Sequence, residues 1–337
     1  MTIPVMILSG FLGSGKTTLL LRLLEEARIR GIRPGILMNE LGKQDVDGNI
    51  LSEQLGVQVE KLLDGCVCCS KKEELAGSLE ALLMGQPDIL LLELTGVADP
   101  GDVVAIAKGP AFAERIGDIR VITVLDAEYV LDYNSIFASD RQLVKTLRRQ
   151  IASAGLVIVN KTDLINPNIS GKIEKAVRKL NEKAEILYSV RSHIDTAALL
   201  AGMRPNEEPP SAASPFRVLS GHPPADGKPH TKPHHYLAES YSQMQAVTLP
   251  SPAGGQVSRE QVEQFLHDWS GHLVRAKGYI RIAGAESIQL IQYAGKRSVW
   301  EPSNYPGTPY LVAIGMQLND TDLAACWTRL WQAEVEA

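Results

Sequence analysis

Residues 10–17 read Gly-Phe-Leu-Gly-Ser-Gly-Lys-Thr, which satisfies G-x-x-x-x-G-K-[ST] at every fixed position. The apolar run PVMILS (4–9) precedes it, and the helical pattern KTTLLLRLLEEARIR (16–30) follows. A strand must therefore deliver the chain into a tight loop, and a helix must carry it out. Gly13 and Gly15 let the loop curl so that backbone N–H groups converge on phosphate oxygens. The positive dipole end of the helix lies at the same point. Lys16 is then placed to bridge β- and γ-phosphates, and the Thr17 hydroxyl to meet Mg²⁺, with Ser14 and Thr18 completing the cradle. A glycine-rich strand-to-helix turn with an exposed lysine is the bland alternative. A chance match of the whole pattern is rare, and rarer with the strand and helix in place.

The surroundings extend this unit. PGILMN (34–39), DILLLEL (88–94), RVITVLD (120–126), LVIVNK (156–161) and EILYSV (185–190) read as further buried strands, short and rich in Ile, Leu and Val. Helical patterns such as KKEELAGSLEALLMG (71–85) and SGKIEKAVRKLNEK (170–183) lie between some of them, and VQVEKLL (57–63) is one more candidate strand. Strand–helix alternation predicts an α/β fold with a doubly wound, mostly parallel sheet over residues 1–203. Periodicity then fails. Residues 204–240 are crowded with Pro, Gly, Ser and His and read as a linker. Residues 241–337 read as a smaller α+β domain. A helix is expected at 258–269 with Ser258 as its cap, strands of alternating exposed-face character at 279–284, 287–295 and 309–316, and a closing helix at 319–334.

The base of the nucleotide is addressed by Asn160-Lys161-Thr162-Asp163, an N-K-x-D pattern at the end of a strand. The Asp163 carboxylate accepts two hydrogen bonds at once. Guanine offers two adjacent donors and adenine does not, so a buried Asp163 would be left underpaired by adenine. Asn160 is expected on the guanine oxygen side, with the Lys161 stem over the base. GTP is therefore favoured over ATP, although four residues alone also fit a plain strand end. Glu93-Leu94-Thr95-Gly96 ends another buried strand. Glu93 there can hold Mg²⁺ or orient an attacking water, and the Gly96 N–H can meet a γ-phosphate; the alternative is a strand end with a helix cap at Thr95.

Three of the four cysteines fall within Asp64-Gly65-Cys66-Val67-Cys68-Cys69. The N-terminus MTIPVMILSG lacks a basic region and a cleavage site, and no apolar run is long enough to span a bilayer. A cytoplasmic protein is expected, without membrane partners, in which thiols stay reduced. The formal net charge of -5 gives no global basic field for nucleic acid. Clustered thiols then point to metal binding, with a redox switch and small core residues as competing readings. Three thiolates suit Zn²⁺ or Cu(I) and leave one corner of a tetrahedron open. Glu40, in Asn39-Glu40-Leu41-Gly42 at the end of the second strand, is a candidate fourth ligand or a Mg²⁺-facing acid. Cys326, in LAACWTRLW, reads as a buried packing residue.

Taken in order, GFLGSGKTT, NELG, GCVCC, ELTGVADP and NKTD resemble the CobW-type P-loop GTPases, metallochaperone relatives of the nickel-insertion GTPases for hydrogenase and urease. RAKGYIRI (275–282) is similar to the C-terminal module of that family. The resemblance implies that Cys66, Cys68 and Cys69 form the metal site and that Glu93 is the Walker-B-type acid. Leu41 stands where the family usually has Phe, and the guanine-region signal after EILYSV is poorly formed, with Ser189 as its one candidate.

The expectation is a GTP-hydrolysing metallochaperone. It binds GTP and Mg²⁺ at the glycine loop and Zn²⁺ at the cysteines, and it passes the metal to a client protein as hydrolysis relaxes the loops near residues 39–48 and 93–98. A metal buffer or sensor using nucleotide as a structural ligand is one alternative, and a small-molecule kinase is another. His222, His230, His234 and His235 of the linker either gather metal weakly or are simply solvated, and a homodimer is one open assembly.

Overall fold

Runs of Ile, Leu and Val with no polar face have to be strands covered from both sides. In the computed structural model of the chain they form a parallel sheet, buried at its centre. The run read as a buried strand at 185–190 instead supplies a half-exposed edge strand, Glu185–Tyr188, which among the described residues has a neighbour on one side only. The described residues are 2–38, 71–135, 141–203, 217–219, 244–252, 255–294, 297–316 and 318–331. They fall into two units, one within residues 2–219 and one within residues 244–331.

The first unit runs β1 (Ile3–Ser9), α1 (Lys16–Ile29), β2 (Pro34–Met38), α2 (Lys71–Met84), β3 (Ile89–Glu93), α3 (Pro100–Ala107) and β4 (Ile116–Asp126). It continues with α4 (Val130–Tyr133), α5 (Arg141–Ala152), β5 (Leu156–Asn160), a 3-10 turn (Thr162–Leu164), α6 (Pro167–Leu180), β6 (Glu185–Tyr188), α7 (Thr196–Leu199) and β7 (Arg217–Leu219). The strand order is β6-β5-β4-β1-β3-β2-β7, with every neighbouring pair parallel. Val5, Ile7, Leu90 and Leu92 pack against Leu79, Leu82, Leu83 and Phe112 on one face. Further along, Leu125, Val157 and Val159 meet Leu147, Ile151, Ile173 and Val177 of α5 and α6.

After β1 the chain first builds outward on one side, through β2 and β3, and then on the other, through β4, β5 and β6. That reversal opens a crevice at the carboxyl ends of β1, β3 and β4, where open α/β sheets bind ligands. The candidate strand at 57–63 lies outside the described residues. Within the stretch read as a linker, Arg217–Leu219 forms β7 on the edge of β2, and the rest of 204–240 lies outside the described residues.

The second unit comprises β8 (Met244–Pro250), α8 (Arg259–Asp268), β9 (Leu273–Ile280), β10 (Ile288–Ala294), β11 (Arg297–Ser303), β12 (Tyr310–Met316) and α9 (Asp320–Leu330). Its sheet is antiparallel, in the order β11-β10-β9-β12-β8. Phe265, Leu266, Leu323 and Trp327 of the helices form one core with Leu249, Ile280, Ile291 and Leu311 of the strands. Ser258 and Gln261 close a capping box at the start of α8.

Two expectations shift here. Of the strand read at 279–284, only Tyr279 and Ile280 belong to a strand, the end of β9, which starts at Leu273; Ile282 beyond it makes an isolated bridge to Val257. The alternation read as an exposed face holds only in part: Arg281 and Ala283 are exposed, Ile288 and Gln292 of β10 are half-buried, and Tyr279 of β9 and Val312 of β12 are covered just as Ile280 and Leu311 are. Cys326 is half-buried against the core. No described helix is long and apolar enough to cross a membrane.

Candidate functional site

The glycine loop leaves β1 through Gly10, whose φ of 128° is closed to side chains. A Cβ there would sit 2.0 Å from the Val124 carbonyl oxygen on β4. α1 begins at Lys16 with no side-chain cap and no acid in its first turn, which suits its N–H groups and dipole to an anion. Lys16 is buried, and its Nζ donates back to the carbonyls of Gly10 at 2.8 Å and Phe11 at 3.0 Å. The Ser14 Oγ is buried and has no hydrogen-bond partner among the described residues. Gly13 is half-buried, and Thr18 lies exposed on the first turn.

Register brings the second strand end to this loop. Leu8 of β1 and Met38 of β2 both pair with Glu93, so β3 ends beside the loop. The Thr17 hydroxyl donates to Glu93 Oε1 at 2.8 Å. Gly96 follows closely, and a Cβ on it would come within 2.4 Å of the Leu12 nitrogen.

Asn160 occupies the end of β5 and is buried. Its Nδ2 donates to the Ser14 carbonyl at 2.8 Å and to Ser192 Oγ at 3.1 Å. Its Oδ1 accepts from Ser192 N–H at 2.7 Å and from Ser189 Oγ at 3.0 Å. The Ser192 hydroxyl in turn donates to the Gly15 carbonyl at 3.0 Å. Asn160 thus ties the glycine loop to the segment after β6, where Arg191 and Ser192 both hold positive φ, at 50° and 54°. Lys161 also holds positive φ, and its Nζ lies 2.6 Å from Asp126 Oδ2 at the end of β4. Asp163 is exposed in the 3-10 turn, so its burial would come only with a base against it.

The carboxyl end of one sheet therefore gathers Glu93 and Asn160 from the ends of β3 and β5, Lys16 and Thr17 from the start of α1, and Gly96, Lys161 and Asp163 from the segments that follow β3 and β5. Asp126 and Ser192, absent from the sequence-based set, belong to the same network. Asp126 has a faint signal as an acid closing a buried strand, and Ser192 has none. Glu40, Cys66, Cys68 and Cys69 lie outside the described residues. Among those described, no three His, Cys, Asp or Glu side chains gather as a metal site would require. A cleft of about 620 Å³ lined by Val104, Lys108, Arg120 and Ser153 lies at the amino end of β4 and touches none of these residues.

The chain is similar to several known proteins. Residues 4–188 match the family described as CobW/HypB/UreG, nucleotide-binding domain. Residues 247–330 match the cobalamin synthesis protein cobW C-terminal domain. The chain is 26% identical to a zinc chaperone CobW of Sinorhizobium sp, over 96% of this chain and 95% of that one. It is also 26% identical to the zinc chaperone YjiA of Escherichia coli, over 97% and 98% of the two chains. The crystal structure of the Zn(II)-bound YjiA GTPase from E. coli aligns over 98% of this chain and 99% of that one, with 23% identity and a TM-score of 0.42.

Proposed function

The chain belongs to the CobW/HypB/UreG family, and on that premise we propose that it is a GTP-hydrolysing metallochaperone that delivers a transition metal, zinc foremost, to a client protein. The observation that carries this reading is the joining of the glycine loop to two strand ends, through Thr17–Glu93 and through Asn160–Ser14. The zinc chaperones among the similar proteins support zinc as the cargo.

In this reading the Asp163 carboxylate accepts the ring N–H and amino group of guanine, while Asn160 and Ser192 hold the loop that carries the phosphates. The Lys16 ammonium exchanges its carbonyl partners for β- and γ-phosphate oxygens. Thr17 and Glu93 present hard oxygen donors 2.8 Å apart, a pair that fits Mg²⁺. When bound, that ion supplies charge neutralisation along the phosphates. Water attacks the γ-phosphorus, the bond to the β,γ-bridging oxygen breaks, and the water's proton leaves with the released phosphate, giving GDP; Glu93 serves this step either by holding Mg²⁺ or by orienting that water. Catalysis is then positioning plus neutralisation by Lys16.

Cys66, Cys68 and Cys69 supply three thiolates of the kind Zn²⁺ takes, with Glu40 as a fourth donor. β2 ends at Met38, paired with Glu93 at the nucleotide end of the sheet, and the segment bearing Glu40 follows directly in the sequence. Loss of γ-phosphate would relax that segment and lower the grip on the metal. With the chain divided into 1–203, 204–240 and 241–337, client recognition goes to the last part together with the stretch 204–240 that leads into it.

Zinc-competition titration of the protein loaded with a non-hydrolysable GTP analogue or with GDP tests this reading, with Cys66→Ala as control. Tighter zinc binding in the triphosphate form and its near-complete loss in the variant are expected. Equal affinity in both nucleotide states overturns the coupling. Absence of GTP turnover, with client and zinc present, leaves a metal buffer.

A further inference from the structure

The loop after β3 is held on its outer side by the last turn of α5. Gln150 is fully buried there, and its Nε2 donates to the carbonyls of Gly96 at 3.2 Å and Ala98 at 3.0 Å. Its own main-chain carbonyl accepts from Thr123 Oγ1 of β4 at 2.8 Å, which fixes this turn to the sheet. Arg149 beside it reaches Asp99 at 3.2 Å, and the other Asp99 oxygen caps α3 through the Gly101 N–H at 2.9 Å. On the opposite side, Gly96 lies so near Leu12 that a Cβ would stand 2.4 Å from its nitrogen. Gly96 is thus confined between the glycine loop and one amide.

That amide has a fixed orientation. Reversed, it would set its oxygen against two carbonyl oxygens. As it stands, Gln150 Oε1 is buried with no hydrogen-bond partner among the described residues. A side chain present only to fill the space would serve better as Met or Leu, which leave no unmet acceptor. The two bonds donated to the loop are what the amide provides.

We propose that Gln150 is a positioning residue for the reaction: it sets where Gly96 stands over the triphosphate end of the glycine loop. The difference between triphosphate and diphosphate is then felt against a strut anchored in β4. This rests on the GTPase reading above.

Gln150→Met keeps the volume and removes both donors. In the full chain, a fluorescent GDP analogue and a non-hydrolysable imido-triphosphate analogue are titrated, and kcat and KM for GTP are measured. GDP affinity should stay within about twofold of wild type, because base and β-phosphate contacts lie elsewhere. Triphosphate affinity and kcat should each fall about tenfold, the worth of two modest buried hydrogen bonds. Arg149→Ala, an exposed change at the Asp99 end, should give a smaller loss in the same direction and carries the test where Gln150→Met does not fold. Equal weakening of both nucleotides, or of neither, overturns the proposal. A wild type that binds no guanine nucleotide overturns the GTPase reading and the strut together. A wild type that hydrolyses GTP, beside variants that discriminate as it does, overturns the strut alone.

Discussion

Gly15 has no room for a methyl group. Its φ is 109°, and a Cβ would meet Asn160 Nδ2 at 2.4 Å and Ser192 Oγ at 2.8 Å. Gly15→Ala therefore strains the backbone and pushes the Asn160 amide off the Ser14 carbonyl. We expect a loss of about 2–3 kcal/mol, from left-handed strain plus a disturbed buried amide, in denaturant unfolding of the nucleotide-free protein. Fluorescent guanine-nucleotide binding should fall about tenfold as well, because the displaced loop N–H groups cost the bound state about 1.4 kcal/mol beyond the free one. Unchanged stability and binding would show that the bridge has slack. Ser192→Ala should be milder, costing about 1 kcal/mol for hydrogen bonds that leave buried partners behind. Much of this site is legible in the sequence because the glycines, Lys16 and the N-K-x-D run have fixed spacings tied to local geometry. The sequence marks Asn160 as a reader of guanine, yet its four bonds go to Ser14, Ser189 and Ser192. Those contacts join residues distant along the chain, and no local pattern encodes them.

Elements were legible where a local rule decides them. Strands buried on both faces read as apolar runs, and α8 announces itself by Ser258 and Gln261, three apart as a capping box requires. Ser258→Ala should cost about 1 kcal/mol of stability, read as a lowered unfolding midpoint. Where tertiary contact decides, the pattern fails. β9 carries Lys277 on a face that is nonetheless buried, and Gly278, whose Cβ would lie 2.1 Å from the Tyr310 carbonyl. Polar and glycine residues inside a strand hide its first half from any alternation rule. α5 is helical in its spacing, but nothing in RQLVKTLRRQIA says that its glutamine will face the loop after β3. The closing helix is a stronger case. Trp327 is fully buried, stacks edge-on against Phe265 and Trp331, and donates its Nε1–H to the Pro250 carbonyl at 2.9 Å. Trp327→Ala should destabilise its unit by about 3–5 kcal/mol through the cavity it leaves. If the protein unfolds in two separate transitions, only one of them should move.

For the molecule as a whole, the proposed chaperone cycle is a statement about linkage. If GTP tightens zinc binding by some factor, zinc must tighten GTP binding by the same factor, because both describe one coupling free energy. Coupling between sites on such devices usually amounts to about 1–3 kcal/mol, or roughly 5–150-fold in affinity. Two independent titrations, zinc into nucleotide-free protein or protein loaded with triphosphate analogue, and triphosphate analogue into zinc-free or zinc-loaded protein, should return the same factor in this range. Cys66→Ala should bring both factors to one while leaving GDP affinity unchanged, since Lys16, Asn160 and Asp163 are untouched. Gln150→Met should reduce both factors together, since it acts on the loop that tells triphosphate from diphosphate and not on the thiols. A factor that survives Cys66→Ala would place the coupled zinc at ligands other than these cysteines. A factor of one in the wild type would mean that the two ligands ignore each other, and hydrolysis could then release no metal.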